Sequence, residues 1–505
     1  MKRAALFLFH LLSSLPCFSQ GVSNLWLMGY ADNIHVQHAD WGGTTIDFIS
    51  NTPNIYYASR PMWLAASNAV ISNSNGNLLF YTNGFYIANS TNDTMLNGTG
   101  LNPSSYTSRD GPEGLNIPQA DLIIPYPGDS SKYYLFHVTA DDSATIIPIY
   151  LYYSVIDMAL DGGLGAVVLK NNILLHSAFN FGCLTSCKHA NGRDWWLITH
   201  ENTSDCYVKF LITPSGISGP YYQCIGKYVD LWGNNWGSGV AGGGQVVFSP
   251  DGNKFAYYDV EGDLDLMDFD RCTGNFSNLI HVDIDDSAAV GGTAFSPNSS
   301  KLYVSSERYI YQFNLDSTNV PSTQLTVAVW DSFAHPIPIV SVTFYLSQLA
   351  PDGKIYVVAP NSSKFLHVIN NPDNAGLSCN VCQHCVQLPT YNFLTVPNYP
   401  NYFLRADTTS TVCDTLTSIQ KPSIKFSDIN LFPNPTIGVL YVVLKGMKYR
   451  EAKVFNLIGQ EIQLNISVIK NGEYLELNTN SLSPGIYFLE LLSDKEKVVK
   501  KFVKE

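Results

Sequence analysis

The chain has 505 residues, of which 45% are hydrophobic and only 14% are charged, and its formal net charge is −13. This length exceeds what a single compact core supports and indicates two or three domains. The part before Lys421 carries 17 basic and 33 acidic residues. That balance excludes the clustered positive charge that a nucleic-acid partner requires, so we expect no such partner.

Aromatic residues are frequent in this chain, with 30 Tyr and 26 Phe. Side chains of this kind fit the half-buried, pleated surface of a β-sheet. No long stretch combines a 3.6-residue apolar period with helix caps. The composition therefore predicts an all-β protein.

The first 19 residues have the pattern of an export signal. Lys2 and Arg3 precede a short apolar run over residues 4–15, and Cys17 and Ser19 suit the −3 and −1 positions of a cleavage site after residue 19. Pro16 disfavours the alternative, a lipid-modified Cys17. The apolar run is too short to span a bilayer, and we predict no transmembrane segment in the mature chain.

A weak repeat follows, in which an apolar strand ends in a tight turn and a second apolar strand returns. The clearest copies are residues 247–258, 294–304 and 348–358. Pro presets φ at such a turn and Gly supplies a positive φ. Six turn positions are visible, 47 to 63 residues apart: Gly76, Asp129, Gly192, Gly252, Ser299 and Gly353.

This spacing is typical of β-propeller blades, which are four-stranded sheets packed around a central channel. We predict a propeller over residues 20–411. Seven blades are favoured, with the seventh shared between a strand at 24–29 and a closing strand at 395–404. A ring of six blades or another all-β arrangement, such as a pair of β-sandwiches, remains the alternative.

The end of the chain has a different pattern. Residues 412–427 are rich in Thr, Ser and Lys and are predicted to be a linker. Residues 428–505 are predicted to form a small immunoglobulin-like β-sandwich. Its clearest strands are residues 438–444, 451–460, 474–477, 482–491 and 497–503.

Three stretches of this end segment, residues 433–438, 454–460 and 482–487, carry a resemblance. In order and spacing they resemble the type A C-terminal sorting domain of the type IX secretion system (the Por system). The resemblance implies export through the periplasm and recognition by the secretion machinery. It further implies that the domain is then cut off or attached to a surface glycolipid, which makes the protein secreted or attached to the outer surface.

The repeats, together with residues 75–84, 153–158, 396–402 and 413–416, are similar to a group of secreted bacterial β-propeller proteins that carry such a tail. The similarity covers residues 24–416. Residues 403–405, Phe-Leu-Arg, depart from that pattern, which is more polar there, and this leaves the closing strand in doubt. The resemblance implies an architecture and says almost nothing about an activity.

Nine cysteines remain after removal of the signal, and export favours disulfides among them, with at least one thiol left over. Cys379, Cys382 and Cys385 could also suggest zinc, but a structural zinc site needs a second pair of ligands, for which Cys183 and Cys187 are the one distant candidate. Residues 237–242 match G-x-G-x-x-G. The helix that a dinucleotide site requires does not follow, so a loop between strands is expected.

An acidic run contains the one candidate for a cofactor, a calcium ion. Asp259, Glu261, Asp263 and Asp265 alternate, and on a single strand all four side chains would share one face. Calcium prefers several such oxygens. The favoured interpretation is a solvated strand edge, so we predict no cofactor and no metal ligand.

Four residues were considered for catalysis. His200 and Glu201 follow a Trp-rich strand and could face a central channel, and Glu113 and Asp121 are similarly ambiguous. None is assigned a catalytic or binding role. The expected function is binding or adhesion to an unknown protein or glycan, and the alternative is an extracellular hydrolase or lyase that acts on a glycan or lactone. The sequence favours binding over catalysis.

Overall fold

The computed structural model describes residues 21–32, 40–50, 52–141, 146–181, 183–228, 244–336, 339–407, 413, 430–443, 449–457, 460–469, 474–493 and 497–505. The chain divides into two compact units, Met1–Thr417, here called the body, and Ser418–Glu505, here called the tail. The predicted signal (1–19) and all of the predicted linker (412–427) except Cys413 lie outside the described residues.

Antiparallel strands build the body, and its described residues form seven sheets and one extra hairpin. In each sheet, strands adjacent in sequence are also adjacent in space, which is the simplest hairpin-connected order. The first two sheets are β1 Leu25–Gly29, β2 Gly43–Asp47 and β3 Asn54–Ala58, then β4 Ala69–Ser72, β5 Leu78–Thr82 and β6 Ile87–Asn89.

The third to fifth sheets have four strands each. They are β7 Asp121–Pro125, β8 Lys132–Ala140, β9 Pro148–Asp157 and β10 Ala166–His176; β11 Thr185–Lys188, β12 Trp195–His200, β13 Cys206–Thr213 and β14 Gly216–Cys224; and β15 Gln245–Phe248, β16 Lys254–Asp259, β17 Asp263–Asp270 and β18 Asn275–Val282.

The sixth and seventh sheets also have four strands, and a hairpin lies between them. The sixth is β19 Gly291–Phe295, β20 Lys301–Ser306, β21 Tyr309–Asn314 and β22 Leu325–Val329; the hairpin is β23 Ala334–Pro336 and β24 Ile339–Ser341; and the seventh is β25 Ser347–Leu349, β26 Ile355–Val357, β27 Ser363–Ile369 and β28 Val381–Asn392.

Helices are short in the described residues. The helix α1 Ser105–Asp110 begins at Ser104, whose side chain accepts a hydrogen bond from the backbone of Thr107, as an N-cap does. The 3₁₀ turns are Gly21–Ser23, Gly111–Glu113, Asp161–Gly163, Pro321–Thr323 and Gly376–Cys379. Within the described residues, no helix has the length and apolar character needed to cross a membrane.

The first strands of successive sheets lie side by side, which gives the body a propeller-like arrangement. Contacts join β1 to β4, β4 to β7, β11 to β15, β15 to β19 and β19 to β25. The last strand of the seventh sheet, β28, contacts the first sheet. There Thr44 Oγ1 lies 2.7 Å from Thr390 Oγ1, and the Tyr391 N–H donates to the carbonyl oxygen of Asp40 at 2.9 Å.

The six predicted turns all lie at equivalent places in this arrangement. Each connects the first and second strands of one sheet, from the second sheet to the seventh. The φ angle is positive at five of the six positions: Gly76 82°, Gly192 72°, Gly252 76°, Ser299 61° and Gly353 78°. In the sixth turn the positive φ, 84°, belongs to Gly128, one residue before Asp129. The repeat found in the sequence is therefore the first hairpin of a sheet.

The predicted closing strand at 395–404 is wrong. This stretch contains no strand. In the described residues the first sheet consists of β1, β2 and β3, so no described sheet combines strands from both ends of the body. The stretch does pass close to β1, since Trp26 Nε1 donates to Tyr399 Oη at 3.1 Å. Pro397 and Pro400 have no N–H to give to a ladder, which disfavours a strand here.

The predicted strand face with four carboxylates is also wrong. β16 ends at Asp259 and β17 begins at Asp263, and these two residues are paired in the ladder. Glu261 therefore lies in the connecting turn. Asp263 adopts a left-handed φ of 58°, which permits the tight reversal.

Aromatic side chains fill the interface between neighbouring sheets. Phe255 lies 5.4 Å from Tyr207 and 5.0 Å from Phe276, measured between ring centroids, and all three rings are almost completely buried. Edge-to-face and tilted contacts of this kind add to the free energy gained by burying apolar area. The body is thus held together by rings from several sheets, which agrees with the many aromatic residues in its sequence.

The tail consists of two four-stranded antiparallel sheets in the described residues. Their strands are, in ladder order, β29 Asn430–Phe432, β30 Val439–Val443, β34 Tyr474–Asn478 and β33 Ile466–Ile469; and β32 Glu461–Ile462, β31 Tyr449–Asn456, β35 Gly485–Ser493 and β36 Lys497–Lys504. One core of mainly aliphatic side chains, including Leu440, Leu477 and Leu491, joins both sheets. The five strands expected from the sequence are present, and β29, β32 and β33 were not expected.

Candidate binding site

A cleft of about 950 Å³ lies in the body. Its walls come from the turns and first strands of several sheets, including residues near Asn75, Pro250, Pro297 and Pro351, and from residues 398–403. Four of the six repeat turns therefore contribute to one cavity. Its volume is in the range of pockets that hold a small ligand.

Two buried glutamines connect the first strands that surround this cleft. Gln245 Nε2 donates to Ser347 O at 2.8 Å, and its Oε1 accepts from the N–H groups of Thr293 and Ser347, each at 3.0 Å. Gln119 makes the same kind of double contact with the backbone of Val246. Together they link the fifth, sixth and seventh sheets through hydrogen bonds between uncharged groups.

The stretch 395–404 supplies the other side of the network. Asn398 Nδ2 donates at 3.0 Å to the carbonyl oxygens of both Asp121 and Leu184, and the Asn398 N–H donates to Asn68 O at 2.9 Å. These partners precede or begin the second, third and fourth sheets. The stretch therefore runs across the region where the first strands meet.

Almost no charge lines the cleft. Its described lining residues include no Lys, Arg, His, Glu or Cys, and Asp352 is the one acidic residue among them. Asp352 is already engaged, because its Oδ2 accepts from Tyr356 Oη at 2.9 Å and its Oδ1 accepts from the Lys354 N–H at 3.1 Å. The lining is otherwise made of amide, hydroxyl, proline and apolar side chains.

Several lining groups remain open to a ligand. Within the described residues, the side-chain amides of Asn24 and Asn75 make no hydrogen bond, and the buried Ser186 Oγ has no partner. Two large apolar side chains are exposed at the cleft, Ile49 at 47% and Phe403 at 37%. The arrangement offers amide donors and acceptors next to an aromatic ring.

His200 and Glu201 do not form a pair in the structure. His200 is 1% exposed, and its Nδ1 lies 2.9 Å from Asn180 Nδ2. Burial lowers the pKa of His200 to about 4. Neighbouring residues on an extended chain point to opposite faces, so these two side chains do not converge on one point.

Glu113 and Asp121 also differ in their surroundings. Glu113 is exposed in a 3₁₀ turn. Asp121, the first residue of β7, is 0% exposed, and neither of its carboxyl oxygens has a hydrogen-bond partner among the described residues. Burial raises the pKa of Asp121 to about 8. Neither residue lines the cleft.

The acidic run is divided between two environments. Asp259 is completely buried, and its Oδ1 accepts from the Glu261 N–H at 2.9 Å. Asp265 Oδ1 lies 2.7 Å from His281 Nδ1, and Asp263 Oδ2 lies 3.4 Å from Lys227 Nζ. Asp263 thus lies beside a lysine of the protein itself, and Asp265 lies beside a histidine ring.

Six of the nine cysteines form disulfides in the described residues. The pairs are Cys206–Cys224, Cys272–Cys413 and Cys382–Cys385. Cys183, Cys187 and Cys379 are buried thiols. Because Cys382 and Cys385 are bonded to each other, the three closely spaced cysteines do not form the zinc site considered above. The G-x-G-x-x-G stretch, 237–242, lies outside the described residues.

Comparisons with known proteins assign the tail. Residues 430–505 match the family described as secretion system C-terminal sorting domain. The body precedes that domain as a propeller-like, all-β unit. The protein is thus a cargo of the type IX secretion system, whose machinery is its partner during export, and it is secreted or delivered to the outer surface.

Comparisons of the whole chain are less informative. No curated protein matches it significantly. Among solved structures, a functionally unknown protein from Desulfotomaculum acetoxidans is 14% identical, with 75% of this chain and 100% of that chain covered and a TM-score of 0.37. A putative 6-phosphogluconolactonase from Bacteroides fragilis is 12% identical, with 75% of this chain and 98% of that chain covered and a TM-score of 0.40. The Dos1 propeller is 13% identical, with 68% of this chain and 74% of that chain covered and a TM-score of 0.38. Likenesses at this level carry no argument about what the chain does.

Proposed function

We propose that this protein is an exported binding protein whose body holds a neutral ligand, a glycan segment, in the central cleft. In this proposal the seven sheets are seven blades of a closed propeller over residues 20–411. Residues 412–427 are a linker, and residues 428–505 form an immunoglobulin-like sandwich that directs export.

The observation that carries the proposal is the uncharged lining of the cleft. Sugars present hydroxyl groups that donate and accept, and apolar C–H faces that pack on aromatic rings. The open amides of Asn24 and Asn75 match the first property, and the half-exposed ring of Phe403 matches the second. A charged ligand would leave its charge without an opposite partner in this cleft, which is costly away from water.

Catalysis on a glycan or lactone has less support at this site. Hydrolysis of a glycosidic bond usually needs two carboxyl groups that flank the bond. The described lining of the cleft offers one carboxylate, Asp352, and both of its oxygens already accept hydrogen bonds from the protein. Binding at the cleft therefore requires fewer assumptions than a reaction there.

A glycan array probed with the secreted full-length protein tests the proposal. We expect binding to neutral oligosaccharides, which calorimetry then quantifies with the best array ligand. Phe403→Ala removes the exposed ring and should weaken binding by about tenfold, or about 1.4 kcal/mol. Asn75→Ala should weaken it by a smaller factor, since the loss is one or two hydrogen bonds.

A matched control is Tyr222→Ala. Tyr222 is 53% exposed on β14 and does not line the cleft, so its loss should leave affinity unchanged. Equal affinities for wild type and Phe403→Ala, or a preference for charged ligands, would contradict the proposal.

A further inference from the structure

The three disulfides of the body differ in what they join. Cys206 and Cys224 are directly opposite residues of β13 and β14, so their bond cross-links two strands. Cys272–Cys413 connects residues 141 positions apart. Cys382–Cys385 connects residues only three positions apart, within the single strand β28. A bond that closes so short a loop restricts the unfolded chain least.

The short disulfide closes a bulge that leaves the ladder. Leu366 is paired with Val386 and Val368 with Cys382, so one residue of β27 faces three residues of β28. The middle residue of the bulge, His384, has a left-handed φ of 43°. Because the bulge is already outside the ladder, opening its disulfide breaks no bond between strands.

The two sulfur-bearing residues differ in access to solvent. Cys385 is exposed, whereas Cys382 is half-buried and packs against the core of the first and seventh sheets. An incoming thiolate can therefore approach Cys385 from solvent, and access is one of the factors that set the rate of thiol–disulfide exchange.

The surroundings confine this chemistry to one pair. Cys379, three residues earlier, is 0% exposed, and burial raises the pKa of its thiol, which keeps it protonated and unreactive. The His384 ring stacks on Phe333 with 4.1 Å between centroids, and its Nε2 lies 2.9 Å from Asp331 Oδ2. These contacts hold the bulge to the neighbouring strand connection whether or not the disulfide is closed.

We propose that Cys382–Cys385 is a redox-active disulfide that exchanges with external thiols while the body stays folded. The thiolate of an external dithiol attacks Cys385 Sγ, forms a mixed disulfide there, and releases Cys382 as a thiolate that takes up a proton. The second thiolate of the reagent then attacks the reagent's first sulfur atom, which is bonded to Cys385 in the mixed disulfide. Cys385 is released as a thiolate and also takes up a proton. The protein gains two thiols, and the dithiol leaves as its disulfide.

Graded reduction of the secreted full-length protein tests this. Samples equilibrated with increasing dithiothreitol are quenched with acid, alkylated and analysed by peptide mass spectrometry. We expect half-reduction of Cys382–Cys385 at a dithiothreitol concentration at least about tenfold lower than for Cys272–Cys413 and Cys206–Cys224. The near-ultraviolet circular dichroism should stay native at that point. Simultaneous reduction of all three bonds, or reduction that coincides with loss of the native spectrum, would overturn the proposal.

Single substitutions test which sulfur is attacked. Cys382→Ser leaves Cys385 free, and folded protein treated with oxidised glutathione should acquire one glutathionyl group on Cys385. Cys385→Ser leaves the half-buried Cys382 and should react several-fold more slowly, because access controls the rate. An adduct on Cys385 that forms only in denaturant, or a faster reaction at Cys382, would contradict the mechanism.

Discussion

The body and the tail bury different kinds of side chain. The body encloses polar and ionisable groups at its centre, among them Gln245, Asn398, His137 and Asp121. The buried side chains described in the tail are mainly aliphatic and aromatic, with Leu440, Leu475 and Leu489 completely buried. The buried polar side chains described there are those of Thr436, Thr479 and Lys504. Both units are antiparallel β-structures, so strand content does not explain the contrast.

The contrast reflects what each unit is built around. Buried polar groups are tolerated best when their hydrogen bonds are made within the protein. In the body, Gln245 and Asn398 make such bonds between sheets that surround the cleft, whereas the Asp121 carboxyl group has no partner among the described residues. The cleft seen in the described part of the tail is smaller, about 240 Å³, and a small apolar core suffices to hold two sheets together. The body is thus organised around a cleft, and the tail is organised around a small apolar core.

The largest effect is expected from breaking the tail. Leu491→Asp places a carboxylate at a completely buried position and should cost more than about 4 kcal/mol, so export should be lost and the protein should accumulate in the periplasm. Cell fractionation and surface proteolysis measure this. Leu457→Asp is the control, because Leu457 is 65% exposed. If a chain that lacks residues 430–505 were still delivered to the surface normally, the assignment of the tail as a sorting domain would be wrong.

The next largest effect concerns the polar centre of the body. Gln245→Leu removes three hydrogen bonds and leaves buried backbone groups of Thr293 and Ser347 without partners. We expect a loss of about 3–5 kcal/mol in the free energy of unfolding, measured by urea denaturation. Gln348→Leu, at a half-buried position where the amide donates to the Leu349 carbonyl oxygen at 3.3 Å and also contacts Tyr399, should cost less, about 1 kcal/mol. Equal costs would mean that the network does not hold the body together.

Acid should weaken the body through its buried histidines. His137 is completely buried between Asn102 and Ser154, and burial lowers its pKa to about 3. Below its ordinary value of 6.5, the unfolded chain binds a proton that the folded state excludes. The contribution of His137 to stability is therefore complete above pH 6.5 and is lost as pH decreases toward 3, a loss of about 2–3 kcal/mol at pH 4.5.

His137→Gln tests the contribution of His137 to the loss of stability in acid. Urea midpoints at pH 7.5 and pH 4.5 should differ less in the variant than in the wild type. His176→Gln, at an exposed position, should keep the wild-type pH dependence. The tail sequence contains no His, so its unfolding should not show this component. An unchanged acid response in His137→Gln would contradict the interpretation.

The last effect is a gain in stability. Burial without hydrogen bonds raises the pKa of Asp121 to about 8. The fold therefore retains a proton that the unfolded chain loses above about pH 4, and stability decreases as pH rises from there toward 8. Asp121→Asn should stabilise the body by about 4–5 kcal/mol at pH 8 and have little effect at pH 4. Asp316→Asn, at an exposed position, is the control, and a destabilised Asp121→Asn would contradict the reasoning.

Local chemistry made much of the fold predictable from sequence. Turns such as the one at Gly252 need a positive φ and combine Pro, Asp and Gly, so they could be located without a structure. The main strands of the tail alternate apolar and polar residues, and this alternation also made them predictable from the sequence. The reversal at residues 260–262 was missed because regular alternation of acids outweighed the single Gly262 as a turn signal.

The candidate site could not be predicted in the same way. Gln119 and Gln245 occur in ordinary surroundings along the sequence, and their partners lie more than 40 residues away, up to 279 for Gln119 and Asn398. The stretch 395–404 was interpreted as a strand because it is apolar and extended. Its side-chain hydrogen bonds reach the first, third and seventh sheets and the residue that precedes the fourth, and no local pattern encodes such contacts.

The long covalent loop closed by Cys272 and Cys413 has a consequence for maturation. It encloses the sixth and seventh sheets and all of the stretch 395–404. A protease that cuts anywhere after Cys413 creates a new chain end. The disulfide still fixes the chain to Cys272 at Cys413, which is six residues beyond Asp407. If the tail is removed by proteolysis, residues 395–404 therefore stay covalently attached to the body on their downstream side.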